Sequence, residues 1–392
     1  MTVINKIPPA AKWLEWTLLP WRNLFHDKRR TSISIAAVAF AIAIMFMELG
    51  FLNGLYDSQT GAAAFLRADL IMVSRAWHAL TSRETFPRSR LEQLRGVQAV
   101  KAVYPIYIED KFSLFRNSIT GTRNNIRVIA FAPGNDIFQD DKMNVLSRAL
   151  RQPLTVLFDW RSRRLFGPIG AETRTELADR AVTVVGTFDL GADYRYDGNV
   201  LVSADTLFQL FPNQNRDAVF LGLIQLHPGY SMTETMHQVN NRVGSDVQVV
   251  TKDELIAREK AIWQKTTAAG YIFEMGVAVG FIIGVFIIYQ ILYIEISDHL
   301  PQLATLKAIG NGNGYLMWLV LAQAALLTLL AFIPAVAITS VLYAILTATT
   351  GVVTRLTVFR VGVVLILTSS MCIAAGLLAV RRVIMLDPAE LF

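Results

Sequence analysis

Cysteine is almost missing: Cys372 is the only one in 392 residues, which excludes an intrachain disulfide and any metal site built from cysteines. It lies inside an apolar run and reads as a small buried residue. Histidine is scarce as well, with five in all. His78, His227 and His237 stand far apart, without H-E-x-x-H or a comparable metal spacing, and they read as satisfied surface or core groups. No G-x-S-x-G marks a nucleophile, and no G-x-x-x-x-G-K-[ST] offers a phosphate cradle, so neither hydrolase chemistry nor an ATP site is visible. Charge is thin too. Only 17% of residues are charged and 53% are hydrophobic, with a mean hydropathy of +0.40, too apolar for an ordinary soluble enzyme. The net charge of +6 does not point to nucleic acid, because basic and aromatic residues do not interleave in a binding motif. The basic residues near the first apolar run instead suit a membrane edge with anionic lipid.

What the chain has is long apolar runs in an uneven order: one, then a long mixed stretch, then three. A membrane span needs about 20 apolar residues. Ile33 to Leu55, Gly270 to Ile294 and Val361 to Val380 each fit one. Leu316 to Ala348 is too short for two spans and a turn, so it reads as a single tilted helix, with Pro334 as the expected kink. Arg22, Lys28, Arg29 and Arg30 precede the first span and Arg381 and Arg382 follow the last, which predicts cytoplasmic termini after four crossings. No A-x-A site follows the first span, so it reads as a retained anchor. The sequence thus divides into a cytoplasmic interfacial helix (1–32), a first span (33–55), a periplasmic α+β domain with stalk helices (56–269), a second span (270–294), a cytoplasmic loop (295–314), a third span (315–348), a fourth span (361–380) and a cytoplasmic tail (381–392). The interfacial helix rests on Trp13, Trp16, Trp21 and Phe25 among leucines, the alternative being a plain aromatic belt broken at Pro20. The expected fold class is a bundle of four transmembrane helices, one plus three, with an α+β domain inserted after the first.

In the long stretch the period becomes mostly alternating. Strands are expected over Ala68 to Ser74, Val100 to Ile108, Ile126 to Phe131, Ala181 to Phe188, Asn199 to Ser203, Val219 to His227 and Val247 to Val250. Helices are expected over Pro87 to Leu94 and Ser231 to Val243. From Asp253 the pattern is helical again, with Leu255, Ile256, Ile262 and Trp263 on one face and no breaker before the second span, which predicts a continuous stalk helix. The basic run Arg161, Arg163 and Arg164 has two readings, a contact for an anionic lipid or partner and a solvated loop.

Two features inside the spans stand out. Gly276, Gly280 and Gly284 form a doubled GxxxG register on the second span, suited either to a dimer seam or to packing within the chain. Glu48 is an acid in the first span, and such a residue raises a functional hypothesis; its alternatives are a position near external water or a partner in the bundle. The loop after the second span is amphipathic, with Leu300, Leu303, Leu306 and Ile309 at helical spacing opposite Asp298, Gln302 and Lys307. It is expected to turn its apolar face to the bilayer or to a docking protein. Gly310, Gly312 and Gly314 read as a helix-ending hinge.

Trp21 to Ile44 (WRNLFHDKRRTSISIAAVAFAIAI), His299 to Ala331 (HLPQLATLKAIGNGNGYLMWLVLAQAALLTLLA) and Arg381 to Phe392 (RRVIMLDPAELF) resemble the FtsX/MacB-like permeases of ABC transporters, which share the one-plus-three layout. The resemblance covers all four spans, and the external domain matches in position and strand pattern. Among these permeases the chain looks most like the cyanobacterial DevC type. The resemblance implies a non-catalytic permease subunit in a bacterial, cyanobacterial-type plasma membrane. It would bind no cofactor itself, with ATP and magnesium held by a separate ABC ATPase subunit. It implies a homodimer that works with a membrane-fusion adaptor and a TolC-like outer-membrane channel in tripartite efflux. Mechanotransmission would drive export of a lipid, glycolipid or other amphiphile. By carry-over, Asp298, His299, Leu300, Gln302, Leu303, Leu306 and Lys307 would meet the ATPase, and the helices around Gly50 to Tyr56 and Asp253 to Tyr271 would form the stalk. The sequence departs from the family at Asp298-His299 followed by Pro301, where many relatives carry a basic and acidic pair. A different function fits the same layout, an FtsX-like regulator of a cell-wall hydrolase. Neither reading involves nucleic acid.

Overall fold

The computed structural model describes residues 21, 24–25, 27–308, 312–351 and 354–384. The expected interfacial helix and the final tail therefore lie largely outside the described residues. The chain forms two compact units, one of residues 1–52, 272–345 and 355–392, the other of residues 53–271 and 346–354.

Among the described residues four helices are long and apolar enough to cross a membrane: α1 (Lys28–Phe65), α7 (Ala268–Asp298), α9 (Asn313–Thr350) and α10 (Val358–Ile384). The third apolar segment is one helix with Pro334 inside it. Between α7 and α9 runs the short α8 (Leu300–Ala308). The buried residues of the membrane unit form one apolar cluster that takes in Ile42, Phe46, Ile288, Leu327, Val364 and Cys372.

The second unit is α+β. Its strands are β1 (Leu70–Ser74), β2 (Phe86–Pro87), β3 (Val100–Glu109), β4 (Leu114–Arg116), β5 (Arg123–Asn125), β6 (Arg127–Phe131), β7 (Thr155–Asp159), β8 (Arg174–Leu177), β9 (Arg180–Phe188), β10 (Asn199–Ser203), β11 (Ala218–Val219), β12 (Leu221–Leu226) and β13 (Val247–Thr251). Eleven of these join in one sheet in the order β13-β1-β12-β3-β6-β10-β7-β9-β8-β4-β5, while β11 pairs with β2. The central strands β1, β6, β7 and β10 are buried at every position, because apolar clusters cover both faces of the sheet. The helices of this unit are α2 (Arg88–Glu92), α3 (Asp141–Leu146), α4 (Ala204–Leu210), α5 (Met232–Arg242) and α6 (Lys252–Thr266). Ser203, Ser231 and Thr251 start α4, α5 and α6 by accepting hydrogen bonds from the amides of Thr206, Glu234 and Glu254. A hydroxyl there satisfies an amide that the first helical turn leaves unpaired, and S-x-x-E and T-x-x-E at the last two are capping-box sequences.

Two expectations need correction. The strand over Val219 to His227 is divided, because the Phe220 amide turns to the Ile106 carbonyl and separates β11 from β12. The stalk is also not one helix. It breaks at Thr267, whose backbone is extended (φ −105°, ψ 139°). The Thr267 hydroxyl donates to the Trp263 carbonyl at 2.5 Å and accepts from the Gly270 amide at 3.2 Å, ending α6 and capping α7. Gly270 permits the turn, since a Cβ there would collide with the Trp263 carbonyl oxygen and lie 3.1 Å from Gln264 Cα.

Pairing directions fix which loops share an end of the sheet. β3, β7 and β9 run one way and β6 and β10 the other. The segments 110–126, 160–173 and 189–198 therefore all leave or enter at one end. The segment 346–354, which joins α9 to α10, belongs to this unit as well. Gly351 has φ +73°, and a Cβ on it would sit 2.9 Å from the Arg161 carbonyl oxygen and 3.3 Å from Ala192 Cβ. A side chain is excluded there by both conformation and space.

Candidate functional site

The segment expected to meet an ATPase folds as the end of α7, a single turn at His299 and α8. Leu303 and Ala304 are buried, and Leu300 and Leu306 pack against the same cluster as the spans. The apolar face thus lies against the protein's own bundle and not, as expected, against lipid or a partner. Burying it there removes the leucines from water without needing another molecule. The exposed positions are Asp298, Pro301, Gln302 and Thr305, with His299 and Lys307 half-buried. Asp298 is ion-paired with Arg30 at the start of α1, His299 Nδ1 lies 3.1 Å from Gln302 Oε1, and Gln323 Nε2 of α9 donates to Glu295 Oε1 at 3.3 Å. The helix is therefore held by leucines below and by side-chain bonds at its start, leaving a short polar face for contact. Of the carried-over set, Asp298 and Gln302 are on that face, whereas Leu300, Leu303 and Leu306 hold the helix in place. Gly310 lies outside the described residues.

The three glycines of α7 face other helices of the same chain. A Cβ on Gly276 would strike the Glu48 carboxylate. One on Gly280 would sit 3.4 Å from Met45 Cγ and 3.7 Å from Ile44 Cγ2, and one on Gly284 would overlap the Met371 methyl. Of the two readings, this is packing within the chain, and it uses the groove that a seam between copies would need. Glu48 is half-buried and lies over Gly276, with no ion pair among the described residues. One turn away, the Tyr343 hydroxyl donates to the Phe46 carbonyl, and the missing side chain of Gly50 makes room for the Tyr343 ring.

The α+β unit holds a polar network at the end of the sheet where the segments 110–126, 160–173 and 189–198 meet. Arg127 Nε donates to Asn199 Oδ1 at 2.7 Å and its Nη1 to Asp193 Oδ2 at 3.0 Å. Asn199 Nδ2 donates to Asp159 Oδ2 at 2.7 Å and to the Gly191 carbonyl at 2.9 Å. The Tyr196 hydroxyl donates to Asp110 Oδ2 at 2.5 Å. Burial pushes the Asp159 carboxyl above its ordinary range, opposed by hydrogen bonds from Asn199 and the amides of Leu190, Gly191 and Arg161. Burial, and then the Asp110 carboxylate it donates to, push the Tyr196 phenol up, so it stays a donor. Each polar group is answered by another, as buried polar groups must be. The network ties loops to strands and presents no nucleophile with its base. Nearby, Glu259 of α6 is fully buried and accepts from the Leu80 amide at 2.7 Å and from Trp263 Nε1 at 2.8 Å. None of these residues was singled out by motif or spacing, because each pairs across strands far apart in the chain. The basic run is not free either: Arg161 and Arg163 pair with Asp189 and Asp197 at 2.7 and 2.6 Å.

Residues 31–242 match the MacB-like periplasmic core domain, more than half of the chain, and residues 275–388 match the FtsX-like permease C-terminal domain. The chain belongs to the MacB/FtsX-like permease family. The FtsX-like match takes in α8 and the α7 glycines, and the MacB-like match takes in the α+β sheet except β13, together with most of α1. The permease is also similar to solved domains. These are the periplasmic region of MacB from Actinobacillus actinomycetemcomitans (9% identity, TM-score 0.34, covering 51% of this chain and 94% of that one), the extracellular domain of the ABC-type transporter YknZ from Gram-positive bacteria (12%, 0.31, 47% and 99%) and a domain of a permease protein from Porphyromonas gingivalis (14%, 0.31, 48% and 89%). At such scores these likenesses add nothing to the family assignment. No curated protein sequence matches the chain.

Proposed function

We propose that the protein is the permease subunit of a MacB-type ABC exporter of the DevC kind, acting as a homodimer with cytoplasmic termini. A separate ATPase that carries ATP and magnesium would dock on α8, and this chain would turn that docking into movement of its α+β domain without catalysing a reaction. A membrane-fusion adaptor and an outer-membrane channel would complete the path, and a lipid, glycolipid or similar amphiphile suits as cargo, since it need not cross the spans as a solute. The observation that carries this reading is the clamping of α8. A helix held by buried Leu303 and by the Arg30 to Asp298 pair moves with the bundle when its polar face is pushed.

The test is co-purification from native membranes. Recovery of an ABC ATPase together with a coiled-coil adaptor supports export, whereas an ATPase with a secreted hydrolase means the FtsX-like regulatory function. Thr305→Arg and Gln302→Glu change only exposed groups and are expected to cut ATPase recovery severalfold at unchanged permease level. Unaltered recovery with both removes α8 as the docking site. Orientation is read separately: a Cys at Gln98 is expected to react with an impermeant maleimide in intact spheroplasts and one at Gln302 only after lysis, and the reverse pattern inverts the topology.

A further inference from the structure

Strand β3 has one paired side and one that is largely open. It pairs with β12 from Val100 to Ile106 but with β6 only at Tyr107, Ile108 and Glu109, so over residues 100–106 no strand lies on its β6 side. Pro105, opposite Gly222, tells which residues turn to that side. A proline has no amide to give, so it fits a paired strand where its nitrogen points away from the partner. The neighbouring Ile106 carbonyl turns the other way and accepts from the Phe220 amide at 3.0 Å. Alternation then aims the Val103 N–H and C=O and the Pro105 C=O at the open side. Among the described residues no backbone hydrogen bond from a turn or loop reaches them there.

A groove of about 580 Å³ follows this side. Both rows of β3 side chains line it, Val103 and Pro105 from one and Ala102 and Tyr104 from the other, which places it along the strand's edge. Its charge is positive: Arg88, Arg95, Lys101 and Arg216 line it with Asp205 as the one acid. Arg88 and Arg95 share Glu92, whereas Lys101 and Arg216 are exposed and have no acidic partner among the described residues. The Arg216 guanidinium lies instead over the Phe208 ring of α4, 5.1 Å from its centre. We infer that this groove takes an extended acidic segment of a partner protein, which adds to β3 as a further strand. Donors and acceptors along one strand edge are met together by another extended backbone, and the two unpaired cations are met by carboxylates. Lys101 and Pro105 are the kind of residues that keep open edges from pairing indiscriminately, so a basic or uncharged strand is disfavoured. A small anion is the weaker occupant, since it leaves the Val103 backbone unanswered. The inference goes beyond the proposed function, lies wholly within the α+β domain and holds whether the permease exports or signals.

The test uses the full chain in detergent and, as probe, a short fluorescein-labelled peptide that alternates Glu and Val, with binding followed by anisotropy. Saturable binding is expected, and Lys101→Glu combined with Arg216→Glu is expected to weaken it about tenfold or more. Methyl groups on one alternate set of peptide amides are expected to weaken it about tenfold, as two lost hydrogen bonds would, while methyl groups on the other set, which faces away from β3, leave it unchanged. Amide exchange over residues 100–106 is expected to slow when the peptide is added. Absence of saturable binding to the parent overturns the inference. Binding that is indifferent to both methylated sets and displaced by inorganic pyrophosphate also overturns it, and means a site for small anions. Exchange that is already slow without peptide overturns it too, and means that a second copy covers the edge. Lys101 and Arg216 are exposed, so the double variant is expected to fold, and elution at the parent's volume confirms it.

Discussion

Gly276 lies against the carboxylate of Glu48, so closely that the smallest side chain on the glycine would overlap it. The acid in the first span and the glycine in the second occupy one space. Gly276→Ala should therefore lower the thermal unfolding temperature of the detergent-solubilised protein only modestly, by about 1 kcal/mol at the low end of overpacking, because the carboxylate in its way ends a flexible side chain and can swing aside. Glu48→Ala in the same chain should restore most of the loss, whereas Glu48→Gln, with the same shape, should not. A double-mutant cycle showing the two sites independent would refute the contact.

Asn199 answers three buried groups at once, Arg127, Asp159 and the Gly191 carbonyl. Asn199→Ala should cost about 3 kcal/mol or more, since a buried polar group left without its partner costs about 1–3 kcal/mol and charged ones more. Asn199→Asp should be at least as damaging, because it sets a second carboxylate against Asp159. Thermal unfolding reports both, and a loss below about 1 kcal/mol for the alanine variant would mean that water replaces the side chain.

Glu259 gives a pH dependence of known sign. Burial raises its carboxyl above the ordinary 4.5, opposed by hydrogen bonds from the Leu80 amide and Trp263 indole, with Asp193 adding to the rise and His78 opposing it. A raised folded value means that the folded form holds the proton more tightly than the unfolded one. Its contribution is fully present below the unfolded value and is lost as pH rises through the folded one. Glu259→Gln should then compare worst with the parent near pH 4 and improve toward neutrality, where the parent must bury a charge. Unfolding temperatures of both proteins across that range check it, and a gap independent of pH contradicts the raised value.

The break at Thr267 rests on Gly270. Gly270→Ala should destabilise the protein by about 1–3 kcal/mol, because the Trp263 carbonyl in its way is backbone and cannot swing aside. Thr267→Ala should cost about 1 kcal/mol, as loss of a helix cap does. Spin labels at Lys260 and Gln290 should report a changed distance in Thr267→Ala if the two helices merge, and an unchanged one if the turn survives without its cap.

Much of the sheet was legible because its central strands are short apolar runs between turn residues, as at Asn199 to Ser203. β7 escaped notice although Thr155 to Asp159 is equally apolar, since a charged run follows it without a turn signal. β4, β5 and β8 are short and partly polar, and only their neighbours make them strands. The amphipathy of α8 was visible in Leu300, Leu303 and Leu306, but amphipathy names a face and not its neighbour, so the bundle as its occupant was not. Thr267 hid for a related reason: threonine is tolerated in helices, and its capping role needs the close approach that Gly270 allows. The α7 glycines were read as a groove, and only the structure supplied Glu48, Met45 and Met371 as what fills it.

The placement of residues 346–354 with the α+β domain changes how that domain is tethered. The chain passes between the membrane helices and the domain at residue 52, at residue 271 and at both ends of the segment containing Gly351. A body hung from two cords can swing about the line joining them; further cords take that swing away. Four peptide connections, at 52/53, 271/272, 345/346 and 354/355, thus join the domain to the membrane helices.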